Sequence, residues 1–209
     1  MAKQLASFRG CLLGMAAGDA MGHTVDDWSL EEIHSAYGPE GLRGYDCMNG
    51  YATVTGNTQL AAYAANGLLL GLTRGQMRGE MAPYVRYIYV AEMEWARQQS
   101  YVRQQQKPFF CWIGADEVMS ARRSRDTLMI DTLQQSRIGT MEEPRNRRDT
   151  PTALMAAIPV GMFSAPNRIS REELVRLGAE AAALTHGNAA SYLSAAALSY
   201  LLSRIVYDG

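Results

Sequence analysis

The stretch Thr53-Val54-Thr55-Gly56-Asn57-Thr58-Gln59-Leu60 marks the point where a glycine-rich loop ends and an apolar helix begins. Turn-forming residues precede it, from Gly38-Pro39-Glu40-Gly41 to Asn49-Gly50. The apolar residues that follow recur at helical spacing, at Leu60, Ala61, Ala64, Ala65, Leu68 and Leu69. We therefore expect a buried helix with Asn57 or Thr55 as its N-cap, because either side chain can accept a hydrogen bond from the first turn.

Taken alone, this stretch fits two interpretations. A helix N-terminus that follows a polar loop favours anions and polar ligands. A capped helix in a packed domain has the same sequence features and needs no ligand. Only evidence from the rest of the chain can separate these two interpretations.

Composition favours a single globular domain that covers residues 1–209. We expect the protein to be cytoplasmic. Hydrophobic residues make up 47% of the chain, which is enough for a core. The formal net charge of −1 gives no overall field that would attract nucleic acid or a membrane surface. Three cysteines without a CxxC spacing argue against a disulfide framework or a zinc site. We also expect no signal peptide and no segment long enough to span a membrane.

Periodicity predicts a mostly helical chain without internal repeats or β-alternation. Helices are expected at 4–20, from the capping box 29–32 to about 38, from the quoted stretch to about 71, and at 82–102, 124–135, 151–163, 170–184 and 189–207. Pro159 predicts a kink or an early end in the sixth of these. Glycines four residues apart, from Gly10 to Gly22, predict a flat face that a neighbouring helix approaches closely. Trp95 and Trp112 are expected in the core, with a place in the wall of a groove as the alternative for one of them.

Several blocks of the sequence resemble the ADP-ribosylglycohydrolase family. Residues 8–22 (FRGCLLGMAAGDAMG) resemble the family's first helix, and 55–60 (TGNTQL) fall where the family carries its Thr-Asp-Asp-Thr motif. Residues 139–144, 153–155 and 159–161 resemble its middle block, and 179–187 resemble a further one. The resemblance is colinear over essentially the whole chain, which makes it more specific than any single motif.

The resemblance implies an all-α helical bundle that hydrolyses the glycosidic bond between ADP-ribose and a protein side chain. It also implies two magnesium ions between helices, which orient the ribose and an attacking water. Magnesium prefers hard oxygen ligands, chiefly carboxylates and water. A pair of such cations can polarise the substrate and lower the pKa of a bound water.

The sequence departs from this family pattern at its metal ligands. Gly56 and Asn57 replace the consecutive aspartates, so that two anionic ligands become no side chain and a neutral amide. The hydroxyl of Thr55 alone does not hold magnesium. We also expect the chain to lack the family's last third, which supplies the second aspartate cluster. We therefore predict no metal and no other cofactor.

Other departures concern the acid and the phosphate loop. Asp26 stands where the family has a glutamate, and Asn188 stands where it often has histidine. The family's glycine-rich phosphate loop becomes 147–152, which includes Thr150 and Pro151, and proline removes a backbone donor. From position alone Asp26 is the candidate catalytic residue. The expected remnant of the substrate pocket consists of Thr55, Gly56, Asn57, Thr150, His186 and Asn188.

Each of these residues also has a structural interpretation. Asp26 and Asp27 fit solvated residues ahead of the next cap, and Asp19 fits a residue that fixes a helix end. His186 fits a buried structural histidine. Three arginines, Arg145, Arg147 and Arg148, could grip a phosphate. Because acidic residues lie among them, they also fit a solvated loop of mixed charge.

Three functions remain open. The first is a pseudoenzyme that binds ADP-ribose or an ADP-ribosylated protein for a regulatory purpose. The second is a surviving glycohydrolase with an altered, metal-independent mechanism that uses Asp26 as acid or base. The third is a component of a homo- or hetero-oligomer that assembles through exposed C-terminal helices. The last helix offers apolar residues for such an interface, at Tyr192, Leu193, Ala196, Ala197, Tyr200 and Leu201.

Overall fold

Nine α-helices and two 3₁₀ turns form the regular structure of the residues described by a computed structural model, which are 2–45, 47, 50–79, 82–100, 110–135, 137–163 and 169–208. The helices are α1 (Ala2–Gly22), α2 (Leu30–Tyr37), α3 (Gly56–Arg78), α4 (Tyr84–Gln99), α5 (Glu117–Ser120), α6 (Thr127–Leu133), α7 (Ala157–Met162), α8 (Arg171–Ala183) and α9 (Ala189–Tyr207). The 3₁₀ turns cover Trp112–Ala115 and Pro151–Leu154. None of these residues forms a β-strand, so the all-α prediction is confirmed.

The main core lies between α3, α4, α6 and α8. Its largest fully buried side chains include Tyr63 on α3 and Trp95 on α4. Gly67 lets α3 approach α4 closely, because a Cβ at that position would lie 2.6 Å from the carbonyl oxygen of Tyr87. The helix that follows the quoted stretch is therefore buried as predicted.

Helix caps agree well with the predicted starts. Ser29 and Ser170 each form a complete capping box, and Asn188 caps α9 by accepting a hydrogen bond from the N–H of Ala190. The helix α3 runs seven residues beyond the predicted end at Gly71, to Arg78, and ends at Gly79, whose φ of 70° is left-handed. Gly71 instead allows close contact with the ring of Tyr87. Val102, the predicted end of α4, lies outside the described residues.

The helix predicted at 151–163 is divided. A 3₁₀ turn covers its first four residues, and α7 begins only at Ala157. Pro159 was expected to kink or end this helix, but it lies in the first turn of α7, where a missing N–H costs no intrahelical hydrogen bond. Thr150 precedes the 3₁₀ turn without capping it, because its hydroxyl bonds elsewhere.

Two predictions about packing were wrong. A Cβ at Gly10, Gly14, Gly18 or Gly22 would meet no atom within 4 Å, so no helix approaches the glycine face of α1 among the described residues. Trp95 is fully buried as expected, but Trp112 has 58% of its surface exposed. Both errors share a cause, since the sequence shows which face is flat or apolar and not whether another element covers it.

The last helix has an unusual division of residues between its faces. Small side chains form its buried face, including Ser191, Ala195, Ser199 and Ser203, and Gly178 of α8 lies directly against Ser199. Larger apolar residues point outward, and Leu193, Leu201 and Ile205 have 66%, 55% and 66% of their surface exposed. The small residues thus let α9 approach α7 and α8 closely while its bulky residues remain uncovered.

The helix α9 also corrects the expectation that no segment reaches the length of a membrane span. It has 19 residues and a mean hydropathy of 1.3, and by length and composition alone it could cross a membrane. Of that span, 28% is buried, by contacts with α7, α8 and the turn at 151–154. Length and composition therefore do not separate this helix from a membrane span.

Candidate functional site

A polar cavity of about 620 Å³ opens at the N-terminal ends of α3 and α6. Its wall is formed by residues 23, 26–27, 55–57, 123–129, 148, 150–152 and 155. These segments are far apart in sequence, so the cavity exists only in the folded chain. It contains side chains of both charges as well as the starts of two helices.

The cavity brings together most of the site residues that were predicted from the sequence. Five of the seven predicted site residues line it, namely Asp26, Thr55, Gly56, Asn57 and Thr150. His186 is fully buried behind Thr150 and is not among the lining residues. Asn188 is also absent from the lining, because its side chain caps α9.

The start of α3 is fixed by the carboxylate of Asp19. The backbone N–H groups of Thr55 and Thr58 donate to it over 2.7 and 3.3 Å, and their hydroxyls donate over 2.7 and 2.6 Å. Thr55 in turn caps α3 by accepting the N–H of Asn57 at 3.0 Å. Asp19 therefore fixes a helix end, which is the structural interpretation of this residue, and Thr55 is the N-cap.

Gly56 lies against the backbone of the segment that precedes α6. A Cβ at Gly56 would lie 2.7 Å from Cβ and 2.9 Å from Cα of Ser124. Real Cβ atoms do not approach this closely, so any side chain at position 56 requires Ser124 to move. The absence of a side chain at this position is thus required by the way this chain packs Ser124 against α3.

Two buried glutamines hold the segment 118–124 in place. The amide of Gln59 donates to the carbonyl oxygens of Val118 and Ala121 over 2.7 and 2.9 Å. The side-chain oxygen of Gln99 accepts the N–H groups of Arg123 and Ser124 over 2.8 and 3.0 Å. Since both glutamines belong to core helices, this wall of the cavity is attached directly to the core.

Three arginines line the cavity, and their partners differ. Arg125 forms an exposed ion pair with Asp27, with 2.7 Å between Nη1 and Oδ2. Arg148 donates through Nη1 to Asp126 over 2.5 Å and lies 3.4 Å from the hydroxyl of Thr150. Arg123 donates through Nη1 to the carbonyl oxygen of Val54 over 3.1 Å. The buried Nε atoms of Arg123 and Arg148 have no hydrogen-bond partner within the described part of the chain.

The acidic residues of the cavity are largely engaged by these cations and by a helix end. Asp126 accepts the N–H of Met129 at 2.9 Å as the N-cap of α6, in addition to its bond with Arg148. Asp27 is paired with Arg125, while Asp26 lines the cavity on the same loop. Among the residues described, no group of three or more His, Cys, Asp or Glu side chains is arranged to hold a metal ion.

His186 belongs to a chain of hydrogen bonds behind the cavity. The hydroxyl of Thr185 donates to the carbonyl oxygen of Ala182 over 3.3 Å and lies 2.8 Å from Nδ1 of His186. Because a carbonyl only accepts, we assign the proton of the imidazole to Nδ1, which donates to Thr185. Nε2 then accepts from the hydroxyl of Thr150 over 2.7 Å. Thr150 is thereby oriented with its lone pairs toward Arg148.

Burial, reinforced by the positive charge of Arg148, lowers the pKa of His186 to about 4. Between pH 6.5 and pH 4 this histidine is therefore protonated in the unfolded chain and neutral in the folded chain. The free energy of unfolding falls as the pH falls through this range. We expect this one residue to account for a loss of up to about 3 kcal/mol in the free energy of unfolding. Urea unfolding at pH 7 and pH 4.5 measures it.

The variant His186→Gln isolates the contribution of this histidine. All other titratable groups are present in both proteins, so their contributions to the pH dependence of stability cancel in the difference. Between pH 7 and pH 4.5 the free energy of unfolding should fall by about 2 kcal/mol less in the variant than in the natural chain. His34→Gln, on the exposed surface of α2, is the matched control. Equal losses in the natural chain and His186→Gln would contradict this account of the buried imidazole.

The sequence missed Arg123, Ser124 and Asp126 as cavity residues. Ser124 and Asp126 were assigned to the first turn of a helix at 124–135, but that helix begins at Thr127 because Asp126 caps it. The signal was present in the run Arg122-Arg123-Ser124-Arg125-Asp126, where basic residues precede an N-cap residue. Of the three arginines considered near residue 147, only Arg148 reaches the cavity.

Comparison with known proteins agrees with the fold and with the sequence blocks. A family model described as ADP-ribosylglycohydrolase matches residues 1–209. Comparisons with curated proteins and with solved structures give no match. Since the family model spans all 209 residues, the chain belongs to the ADP-ribosylglycohydrolase family.

Proposed function

We propose that this chain is a catalytically inactive member of its family, and that its cavity binds ADP-ribose, free or attached to a protein, without hydrolysing it. The contact between Gly56 and Ser124 carries the proposal. The space that an aspartate side chain would need at the start of α3 is filled by the Cα and Cβ of Ser124. A reversion of Gly56 to aspartate would therefore not by itself recreate a metal ligand.

The remaining donors support the same conclusion. Two magnesium ions need several carboxylates that are free to face them. Asp126 is engaged by Arg148 and by the end of α6, and Asp27 is engaged by Arg125. Asp26 alone does not supply a di-metal site. The residues present thus do not fit the pair of magnesium ions, and we derive no catalytic step through them.

The size and chemistry of the cavity support binding. A volume of about 620 Å³ falls in the range that small-molecule and cofactor sites occupy. The guanidinium of Arg123 is a donor suited to a polar, anionic ligand. The cavity therefore retains the means to hold a nucleotide-like compound in the absence of the family's metals.

A surviving, metal-independent glycohydrolase is the second candidate, and the position of Asp26 in the cavity favours it. A carboxyl group within reach of the scissile bond could act as a general acid or base. The release of ADP-ribose from an ADP-ribosylated arginine protein, measured with and without magnesium, separates the two functions.

We expect no release above the uncatalysed rate from the natural chain, and the same result from Asp26→Asn. Release by the natural chain that Asp26→Asn abolishes would overturn the pseudoenzyme proposal in favour of the second candidate. Since Asp26 is exposed, the substitution should leave the fold intact, which the thermal unfolding curve checks.

We also propose that the protein acts in the cytoplasm as a homo- or hetero-oligomer. The outward face of α9 supports this, since Leu193, Leu201 and Ile205 are exposed together on one helix. A mass in solution that rises above 23.0 kDa with concentration would support self-association. A constant monomer mass would rule out the homo-oligomer.

A further inference from the structure

We propose that the cavity recognises a diphosphate group directly through the guanidinium of Arg123, with Arg148 as the second contact and with no metal ion between protein and ligand. The proposal rests on the proposed function in that it names the part of ADP-ribose that this cavity grips. It makes Arg123, which lies outside the family's sequence blocks, the main contact, and Arg148, which lies in the segment 147–152 in place of the family's phosphate loop, the second.

The charged side chains of the cavity wall are not all paired. Arg125 is neutralised by Asp27, and Arg148 is partly neutralised by Asp126. Asp26 also lines the cavity but forms no ion pair with Arg123, whose guanidinium has no carboxylate partner within the described part of the chain and donates there only to the carbonyl oxygen of Val54. A half-buried guanidinium without a paired carboxylate is costly, and an anion that binds it directly removes that cost.

Arg123 is held in a fixed position. Its backbone N–H is held by the side chain of Gln99 over 2.8 Å, and its guanidinium is held by Val54 over 3.1 Å. Both anchors belong to the same rigid region, because Gln99 is buried in the core and Val54 directly precedes the cap of α3. A donor that is already fixed loses little conformational freedom when the ligand binds.

Arg123 and Arg148 line the same cavity from different segments of the chain. The buried Nε of each has no hydrogen-bond partner among the residues that the structure describes, so neither guanidinium is fully satisfied. Arg148 also donates through Nη1 to Asp126 and lies 3.4 Å from the hydroxyl of Thr150, so it is the second and weaker contact of the two. Two guanidinium groups in one cavity match a ligand that has acceptor oxygens at both ends.

The fork of a guanidinium selects the chemical class of the ligand, because its planar N–H groups match the oxygens of a phosphate group. A neutral ribose cannot offset the charge of Arg123, and a carboxylate has only two acceptor oxygens to share between Arg123 and Arg148. A diphosphate has two charged groups joined by one bridging oxygen, and it is the anionic part of ADP-ribose. We therefore choose inorganic diphosphate as the probe.

The test is a calorimetric titration of the full chain with inorganic diphosphate in EDTA. We expect saturable binding, which Arg123→Met weakens about tenfold to a hundredfold, as expected for the loss of a hydrogen bond to a charged group. Arg123→Lys, which keeps the charge and loses the fork, should give an intermediate affinity. Arg86→Met is the matched control, since Arg86 lies at an exposed position of α4 outside the cavity, and it should change the affinity less than about threefold.

The result that overturns the proposal is an equal effect of Arg123→Met and Arg86→Met, or binding that appears only when magnesium is added. Unchanged thermal unfolding of Arg123→Met shows that a loss of affinity is local, and Arg123→Lys carries the test if that variant is unfolded. Titration with ADP-ribose separates the two proposals. If the chain binds diphosphate but not ADP-ribose, the proposed function is contradicted and the diphosphate site is retained. If Arg123→Met does not weaken the binding of ADP-ribose, only the proposed diphosphate site is contradicted.

Discussion

Replacing Gln59 with leucine is expected to lower the free energy of unfolding by about 3–5 kcal/mol, because several buried groups would lose their partners at once. The amide nitrogen of Gln59 serves Val118 and Ala121, and its oxygen accepts the indole N–H of Trp95 over 3.2 Å. Leucine has nearly the same volume, so the loss comes from unsatisfied polar groups and not from a cavity. Urea unfolding of the two proteins measures it.

The substitution should also affect the cavity, since Gln59 holds the segment that carries Arg123. We therefore expect Gln59→Leu to weaken ligand binding even at temperatures where the variant is folded. Gln135→Leu, an exposed site of the same chemistry, is the control and should change stability by less than about 0.5 kcal/mol. A loss below about 1 kcal/mol for Gln59→Leu would show that the glutamine network does not secure this wall.

Replacing Gly187 with alanine is expected to cost about 3 kcal/mol or more, because the new methyl group has no space. Its Cβ would lie 1.9 Å from the carbonyl oxygen of Asn146 and 2.8 Å from Cβ of Pro144. The side chain of Asn146 links this region to the core, since it donates to Thr132 and to the carbonyl oxygen of Thr185 over 3.1 and 2.8 Å. Thermal and urea unfolding measure the cost.

The same chain offers an opposite control for Gly187→Ala. Gly14 lies on the exposed face of α1, where a Cβ would meet no atom within 4 Å. Alanine at position 14 should raise stability by about 0.5–1 kcal/mol, because it favours the helix over the unfolded chain. If Gly187→Ala and Gly14→Ala had equal effects, the close contact at Gly187 would not be a constraint on the fold.

Local signals made most of the fold predictable from the sequence. Capping boxes at Ser29 and Ser170 and the cap at Asn188 fix helix starts through hydrogen bonds within four residues, and all three are present. The family assignment also follows from sequence, because its blocks lie in one order along the whole chain. Such features require no knowledge of which helices are neighbours.

The cavity was only partly predictable, because its walls depend on contacts between distant segments. The position of Asp26, Thr55, Gly56, Asn57 and Thr150 around one cavity follows from the family blocks. The approach of Ser124 to Gly56 does not, since nothing in a local pattern shows that residues 68 positions apart touch. The same limit explains why His186 was placed in the pocket and is found behind it.

The most direct test of the account is a calorimetric titration of the natural chain with ADP-ribose, in EDTA and again with excess magnesium. The account predicts saturable binding with the same affinity in both solutions, because the cavity supplies its positive charge through arginines and not through metal ions. Binding that requires magnesium, or that magnesium strengthens tenfold or more, would contradict the account and show that the family's metal site functions in this chain.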